Sequence, residues 1–229
     1  MGDFFSQFAT LFENYDVLGA FWVNIQLTFW AALLALVIGT VLALMRISPI
    51  PSLAWVGTAY VTIFRNTPLT IIMVFMTLGV WGQLKFELSQ DFASNFFRLA
   101  VVALAVYHAA FVCEAIRSGV NTVPLGQAEA ARAIGLSFLP AARIVILPQA
   151  FRGAVAPLGN TLIALIKNST VAAAAGVATE TSTLMKNMIE FNSSLIYAIF
   201  LTFAIGYVIL VIPVGVATTA LSRRLAVRR

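Results

Sequence analysis

The chain has 229 residues, of which 61% are hydrophobic and 10% charged, whereas an average soluble domain is about 45–50% apolar and about 25% charged. That balance excludes an ordinary soluble domain and points to a chain immersed in a bilayer. A single cysteine, Cys113, excludes an internal disulfide and a cysteine-based metal cluster.

Residues 1–20 come first. Phe4, Phe8, Leu11, Phe12 and Tyr15 recur at helical spacing with Asp3, Glu13 and Asp16 between them, which predicts an amphipathic helix on the outer leaflet, with a frayed apolar tail as the alternative. No basic stretch precedes a short apolar segment with a small-residue cleavage site. No removable signal peptide is therefore expected, and the first span serves as its own insertion signal.

A spanning helix needs about 20 apolar residues to cross roughly 30 Å of hydrocarbon. Residues 21–45 and 195–221 satisfy this without a charged side chain. Three further spans are expected between them. Residues 59–82 form one, with Arg65 in its first turns. Residues 96–117 form another, whose Arg98, Glu114 and Arg117 sit near the ends, where long side chains reach the headgroups. Residues 153–179 form the fourth span, interrupted by Pro157 and by Lys167, Asn168, Ser169 and Thr170. It reads as a buried helix and not a lipid-facing one.

Five spans place the termini on opposite sides, and the arginines choose the orientation. Arg46, Arg117, Arg132, Arg143, Arg152, Arg223, Arg224, Arg228 and Arg229 fall on one side, while most acids, from Asp3 to Glu190, accompany Lys85, Arg98 and Lys186 on the other. The arginine side is expected to be cytoplasmic, with the N-terminus outside. This topology accounts for the net charge of +5, so that charge gives no support to nucleic-acid binding.

Residues 117–152 make a long cytoplasmic connection, which is unusual unless it has work to do. Ala128 to Ile134 favour helix, Gly135 permits a sharp turn, and Phe138 to Ile146 can resume a helix with Pro140 in its first turn, until Pro148 kinks or stops it. A helical elbow results. Two readings of it are open: a partner-docking device, with small alanines allowing close approach and Glu129 as a charged anchor, or a hairpin that merely caps the bundle.

Charged groups within a membrane are expensive and mark function by default. Lys167 could meet a substrate carboxylate beside Asn168, Ser169 and Thr170; the competing readings are an ion pair with Glu180 or a carbonyl cap where the span breaks. His108 reads as a packing residue ahead of a ligand. Glu114 and Arg117 are three apart and predict a local salt bridge. Arg65 reads as an interfacial anchor, and Asn24 and Gln26 as hydrogen-bonding residues between helices.

No GxxxxGK[ST] phosphate loop occurs, so any ATP hydrolysis belongs to another polypeptide. An ion-coupled secondary transporter is the alternative transport class, although the spans divide into no repeated halves. Nothing in the side-chain inventory builds an enzyme's nucleophile, dyad or metal set.

Several motifs carry a resemblance. Glu129, Ala130, Ala131, Gly135 and Leu147-Pro148 resemble the signature loop of ABC importer permeases. Arg65-Asn66-Thr67-Pro68-Leu69, then Glu114, Arg117, Ser118 and Gly119 ahead of Gln127, and Lys167-Asn168-Ser169-Thr170 resemble the permeases for polar amino acids, most of all actinobacterial glutamate permeases. Asn66 replaces a glycine common in the family, Asn168 an acid often seen there, and Val145 a frequent isoleucine.

The resemblance implies an all-α polytopic protein with five transmembrane helices and the type I ABC importer permease fold. Residues 1–20 would be an extracellular segment and 21–229 the permease domain, with the coupling loop at 117–152. Expected partners are ABC ATPase subunits, a second permease subunit in a homo- or heterodimer, an extracellular solute-binding protein, an amino acid with glutamate foremost, and membrane lipid. Gln127, Glu129, Ala130, Ala131 and Gly135 would couple to the ATPase, Glu129 meeting a basic residue of its groove. Lys167, Asn168, Ser169 and Thr170 would line the substrate path. No cofactor, metal or nucleic acid is implied, and the location is the cell membrane of a prokaryote.

Overall fold

The computed structural model describes residues 2–225, with side chains from residue 7 onward. Asp3 and Phe4 as side chains, and Arg228 and Arg229 altogether, lie outside the described residues. Among these residues the secondary structure is helical throughout, without strands. The helices are α1 (Gly2–Asn14), α2 (Val17–Ile47), α3 (Pro51–Asn66), α4 (Leu69–Val74), α5 (Phe92–Val120), α6 (Leu125–Ala133), α7 (Phe138–Ala141), α8 (Leu147–Asn168), α9 (Thr181–Phe191) and α10 (Ile196–Leu225). A π-helix at Phe75–Gln83 continues α4, a π turn at Ala142–Ile146 joins α7 to α8, and a 3-10 segment at Ser169–Ala175 follows α8.

Four helical runs are individually long and apolar enough to cross a membrane, and a fifth span results if the bent pair of Pro51–Asn66 and Leu69–Gln83 is counted as one. The first begins at Val17, ahead of the expected boundary at residue 20. Asp16 explains the start: its Oδ1 accepts a 2.8 Å bond from the Gly19 N–H and satisfies an orphan donor of the first turn.

The second span departs from the expected helix over 59–82. It is two helices, because Pro68 forces the preceding Thr67 into extended backbone (φ −97°, ψ 128°) and supplies no N–H of its own. Asn66 Nδ2 and Thr67 Oγ1 instead donate to the Thr62 and Ile63 carbonyls at 2.7 and 2.9 Å, satisfying the frayed end of α3. Arg65 therefore lies in the last turn of α3 and not in the first turns of a longer helix.

Pro148, expected to kink or stop the second helix of the elbow, does not stop it, and that helix runs on into the fourth span. The helical run extends from Phe138 to Ala175, because the wider π turn at Ala142–Ile146 lies where the proline would otherwise clash with the preceding turn. Gln149 Nε2 then donates to the Val145 carbonyl at 2.8 Å. Nor is this span buried within the chain. Only 28% of its most apolar window is buried, against 72% for the third span, α5.

Contacts divide the chain into two compact units, each with its own core. The first comprises residues 1–31, 69–104 and 164–213, the second residues 32–68, 105–163 and 214–229. In the first unit Leu11, Val17, Phe21, Met188, Ala198, Ile199 and Phe203 form a cluster against which Phe8 and Tyr15 pack. One face of α1 thus docks on its own unit, with Leu11 at 1% exposure, while Phe12 remains 47% exposed. Asn192 Nδ2 fastens this docking by donating to the Tyr15 hydroxyl at 2.6 Å.

The second unit is cored by small residues. Ala35, Ala43, Ala109, Ala110 and Cys113 mix with Leu42, Val61, Val112 and Ile116, as expected where helices must approach closely and gain chiefly van der Waals contact. Tyr60 donates to the Val106 carbonyl at 2.9 Å, joining α3 to α5. His108 is 1% exposed, with its ring centroid 6.1 Å from that of Phe111; it packs as the sequence led us to expect.

Candidate functional site

The elbow between α5 and α8 is held at its base by a close helix approach. A Cβ on Gly119 would overlap the Ala150 carbonyl, so glycine is required where α5 ends against α8. Thr122 Oγ1 donates to the Gly119 carbonyl at 2.7 Å and starts the turn that leads into α6. At the far end of α6, Gly135 takes φ +86°. Its N–H bonds the Arg132 carbonyl at 2.9 Å, and that of Leu136 bonds the Ala131 carbonyl at 3.0 Å. This pair is a Schellman cap, which glycine adopts without the steric cost of a Cβ.

The second arm packs back on the first through alanines. Ala131, Ala141 and Ala142 are 4%, 5% and 0% exposed. Ala131 is therefore turned into the elbow, whereas the sequence-derived reading gave it to a partner's groove beside Ala130. Gln127, Glu129 and Ala130 are exposed. Glu129 makes no ion pair among the described residues. Around them Leu125, Ile134, Leu139 and Ile144 are each more than 60% exposed. These four large apolar side chains escaped the sequence reading, which followed only the small residues. An apolar tip with one free acid has the composition of a protein-binding surface.

Glu114 has more partners than the adjacent arginine. Arg117 Nη1 lies 3.4 Å from Oε2, as the i,i+3 spacing predicted, but Arg46 bonds Oε1 more closely and Arg65 Nη1 lies 3.7 Å from the same oxygen. Arg65 also stands 5.7 Å over the Phe111 ring. The convergence of α2, α3 and α5 was illegible in sequence because it joins residues 68 and 49 positions from Glu114.

A second polar constellation is buried in the first unit. Asn24 Nδ2 donates to Ser169 Oγ at 2.8 Å and to the Tyr207 hydroxyl at 3.1 Å, while Asn24 Oδ1 accepts the Thr181 N–H at 3.0 Å. The Thr181 and Tyr207 hydroxyls bond at 2.6 Å. Asn24 thus ties helices together, as expected of it. Ser169, fully buried, also donates to the Ile166 carbonyl at 2.7 Å, so its hydroxyl is consumed by the network.

The ion pair between Lys167 and Glu180 does not form. Glu180, also fully buried, is the N-cap of α9 and accepts from the Ser182 and Thr183 N–H groups at 2.8 and 2.5 Å. Burial pushes its carboxyl above the usual carboxylate range, and these N–H groups only partly oppose the shift. Lys167 is exposed and has no carboxylate partner among the described residues. Asn168 is half-buried, and Thr170 borders a cavity of about 290 Å³ with Thr181, Ser182, Tyr207 and apolar side chains. The four residues of the expected path are therefore split: Lys167 and Thr170 reach open space, and Ser169 does not.

Comparison with known proteins places this architecture. The family of binding-protein-dependent transport system inner membrane components matches residues 35–227. The glutamate transport system permease protein GluC of Corynebacterium efficiens is 46% identical over 219 residues, covering 93% of this chain and 96% of the relative. The probable glutamine ABC transporter permease protein GlnM of Bacillus subtilis is 32% identical over 217 residues, covering 94% and 96%. A crystal structure of an amino acid ABC transporter with histidines superposes with a TM-score of 0.78 at 26% identity, over 95% of this chain and 98% of that one. The ion-coupled carrier class is thereby set aside, and the elbow acquires a family context. The chain belongs to the binding-protein-dependent transport system inner membrane components, as a multi-pass, non-enzymatic permease subunit of an ABC importer that works with separate ATPase subunits.

Proposed function

We propose that this permease carries glutamate into the cell, as one of a pair of permease subunits fed by an extracellular solute-binding protein and driven by ATPases seated on the elbow. The observation that carries the mechanical part is the exposed elbow: Gln127, Glu129 and Ala130 on its outer face, ringed by Leu125, Ile134, Leu139 and Ile144. Ala131 and Gly135 hold its shape from within. Near-full-length identity of 46% to a glutamate permease supports the substrate.

ATP-driven closure of the ATPases would push both elbows and rock the helices as rigid bodies, exposing the path to alternate sides. Lys167 and Thr170 line that path, with Asn168 beside them and Ser169 fixing the backbone behind. Residues 1–20 lie outside, 21–229 form the permease domain, and the loop at 117–152 is cytoplasmic. The 28% burial of the fourth span supports a second permease against α8.

The test is uptake of labelled glutamate by proteoliposomes holding the permease, its ATPase and its binding protein. Uptake should require ATP on the elbow side and ignore an imposed ion gradient. Gradient-driven uptake without the ATPase would overturn the mechanism, and uptake of other amino acids but not glutamate would overturn the substrate.

A further inference from the structure

Three guanidinium groups converge on one carboxylate in the second unit. Arg46, Arg65 and Arg117 all lie within 4.0 Å of Glu114, leaving two positive charges without a counter-ion among the described residues. All three arginines lie in the last turns of their helices, where long side chains at the membrane edge reach water or a ligand. The three arginines are not equivalent. The Arg46 side chain is 12% exposed and bonds Glu114 most closely, so it is the permanent partner. The side chains of Arg65 and Arg117 are 48% and 35% exposed and hold Glu114 only at longer range.

The surroundings of these two arginines indicate what they face. On α3, Thr62 and Thr58 precede Arg65 by three and seven residues, which brings them to its side of the helix, and both are exposed. Thr58 already spends its hydroxyl proton on the Ala54 carbonyl, leaving oxygen lone pairs outward. On α5, Glu114, Arg117, Ser118 and then Asn121 just past its end make a polar edge, the last two exposed. The apolar residues Val56 and Ile63 are exposed on the opposite side of α3. Lipid can cover that apolar side and reach round to Trp55, exposed in line with Thr62, while water suits the edge that carries Thr58 and Arg65.

The geometry points to a carboxylate-binding way-station of the transport path, formed by Arg65 and Arg117 with Arg46 locked to Glu114 behind them. A guanidinium fork matches a carboxylate in two parallel bonds. Two surplus cations match an amino acid whose two carboxylates outnumber its one ammonium. Substrate would bind transiently by drawing Arg65 and Arg117 from Glu114, and Glu114 would recapture them on release, keeping the site weak enough to empty. This inference rests on the proposed amino-acid import and adds the residues that favour an acidic cargo.

The experiment uses the permease–ATPase complex without its binding protein, so that delivery plays no part. Equilibrium binding of L-glutamate, L-glutamine and inorganic phosphate is measured for the wild type, Arg65→Gln, Arg65→Lys and Arg117→Gln, each first checked for assembly and thermal stability. Arg65→Gln should weaken glutamate binding about ten- to hundredfold, the span of a charge-assisted hydrogen bond. Glutamine binding should fall by less, and Arg65→Lys should recover part of the loss. Equal glutamate affinity in wild type and both glutamine-substituted variants overturns the site, as does the absence of glutamate binding in the wild type. Phosphate binding as tight as glutamate, or competition by phosphatidylglycerol in mixed micelles, also overturns it, by showing a general anion patch or a lipid site. Failure of glutamate uptake in the intact wild-type importer would instead fell the functional reading, which is a separate result.

Discussion

Replacing Gly135 with alanine should impair coupling while leaving the permease inserted, and the structure separates two causes of such damage. A Cβ at this position would meet nothing within 4 Å, so bulk is not the obstacle. The obstacle is φ +86°, where an L-residue costs roughly 1–2 kcal/mol. Two capping bonds, at 2.9 and 3.0 Å, prevent the turn from relaxing without loss. An added cost of this size shifts the equilibrium between bent and unbent elbows by about 5- to 30-fold. Asparagine tolerates this conformation, so Gly135→Asn should retain most activity. Gly126, in α6 of the same loop, has equally open surroundings but no positive φ, and Gly126→Ala should stabilise the elbow by about 0.5–1 kcal/mol. The assay is transport and ATP hydrolysis by the reconstituted importer, both normalised to inserted permease. Coupling in Gly135→Ala equal to the wild type, or Gly135→Asn as damaged as Gly135→Ala, would refute this reasoning.

Three further expectations concern the polar networks. Glu114→Gln leaves three arginines facing one neutral amide and should lower stability by about 2–3 kcal/mol, less than the ~3–5 kcal/mol of a fully buried broken pair, because the Glu114 side chain is 31% exposed; an unchanged denaturation midpoint in detergent would contradict it. Asn24→Leu preserves bulk but strands the Thr181 N–H, at a cost of about 1–3 kcal/mol, measurable by thermal unfolding, with no loss counting against the network. Glu180 is held above its unfolded pKa by burial, so its protonated form is favoured by the fold. Its contribution to stability is complete below the unfolded value of about 4.3 and is lost as pH rises through the folded one. Glu180→Gln, whose amide oxygen can still cap α9, should flatten stability across that window; an unaltered pH profile would assign the dependence elsewhere.

Much of the architecture was legible because lipid imposes strong rules on sequence. Charge-free stretches marked α2 and α10, and the glycine between two helix-favouring segments marked the elbow. Local proline chemistry was only half legible. Pro68 broke a span expected to be continuous, and Pro148, expected to kink or stop the second helix of the elbow, did not stop it, since its effect depended on a π turn that no residue pattern announces. The site divided along similar lines. Glu114 with Arg117 followed from i,i+3 spacing, whereas Arg46, Arg65 and the set of Asn24, Ser169, Thr181 and Tyr207 required the tertiary fold. Exposure was hidden as well. Ala130 and Ala131 are adjacent and chemically identical, yet helix rotation turns one outward and the other in.

The bareness of the fourth helical run has a bearing on how the cell must handle this polypeptide. With 28% of its apolar window covered and Lys167 uncovered beyond it, a newly inserted solitary copy exposes a cation and unfilled helix grooves to its surroundings. If the proposed second permease covers this run, assembly becomes the last step of folding, because stability that comes from association vanishes on dilution. Surplus copies synthesised without their complement should be short-lived, and subunit ratios would be enforced by degradation of the excess.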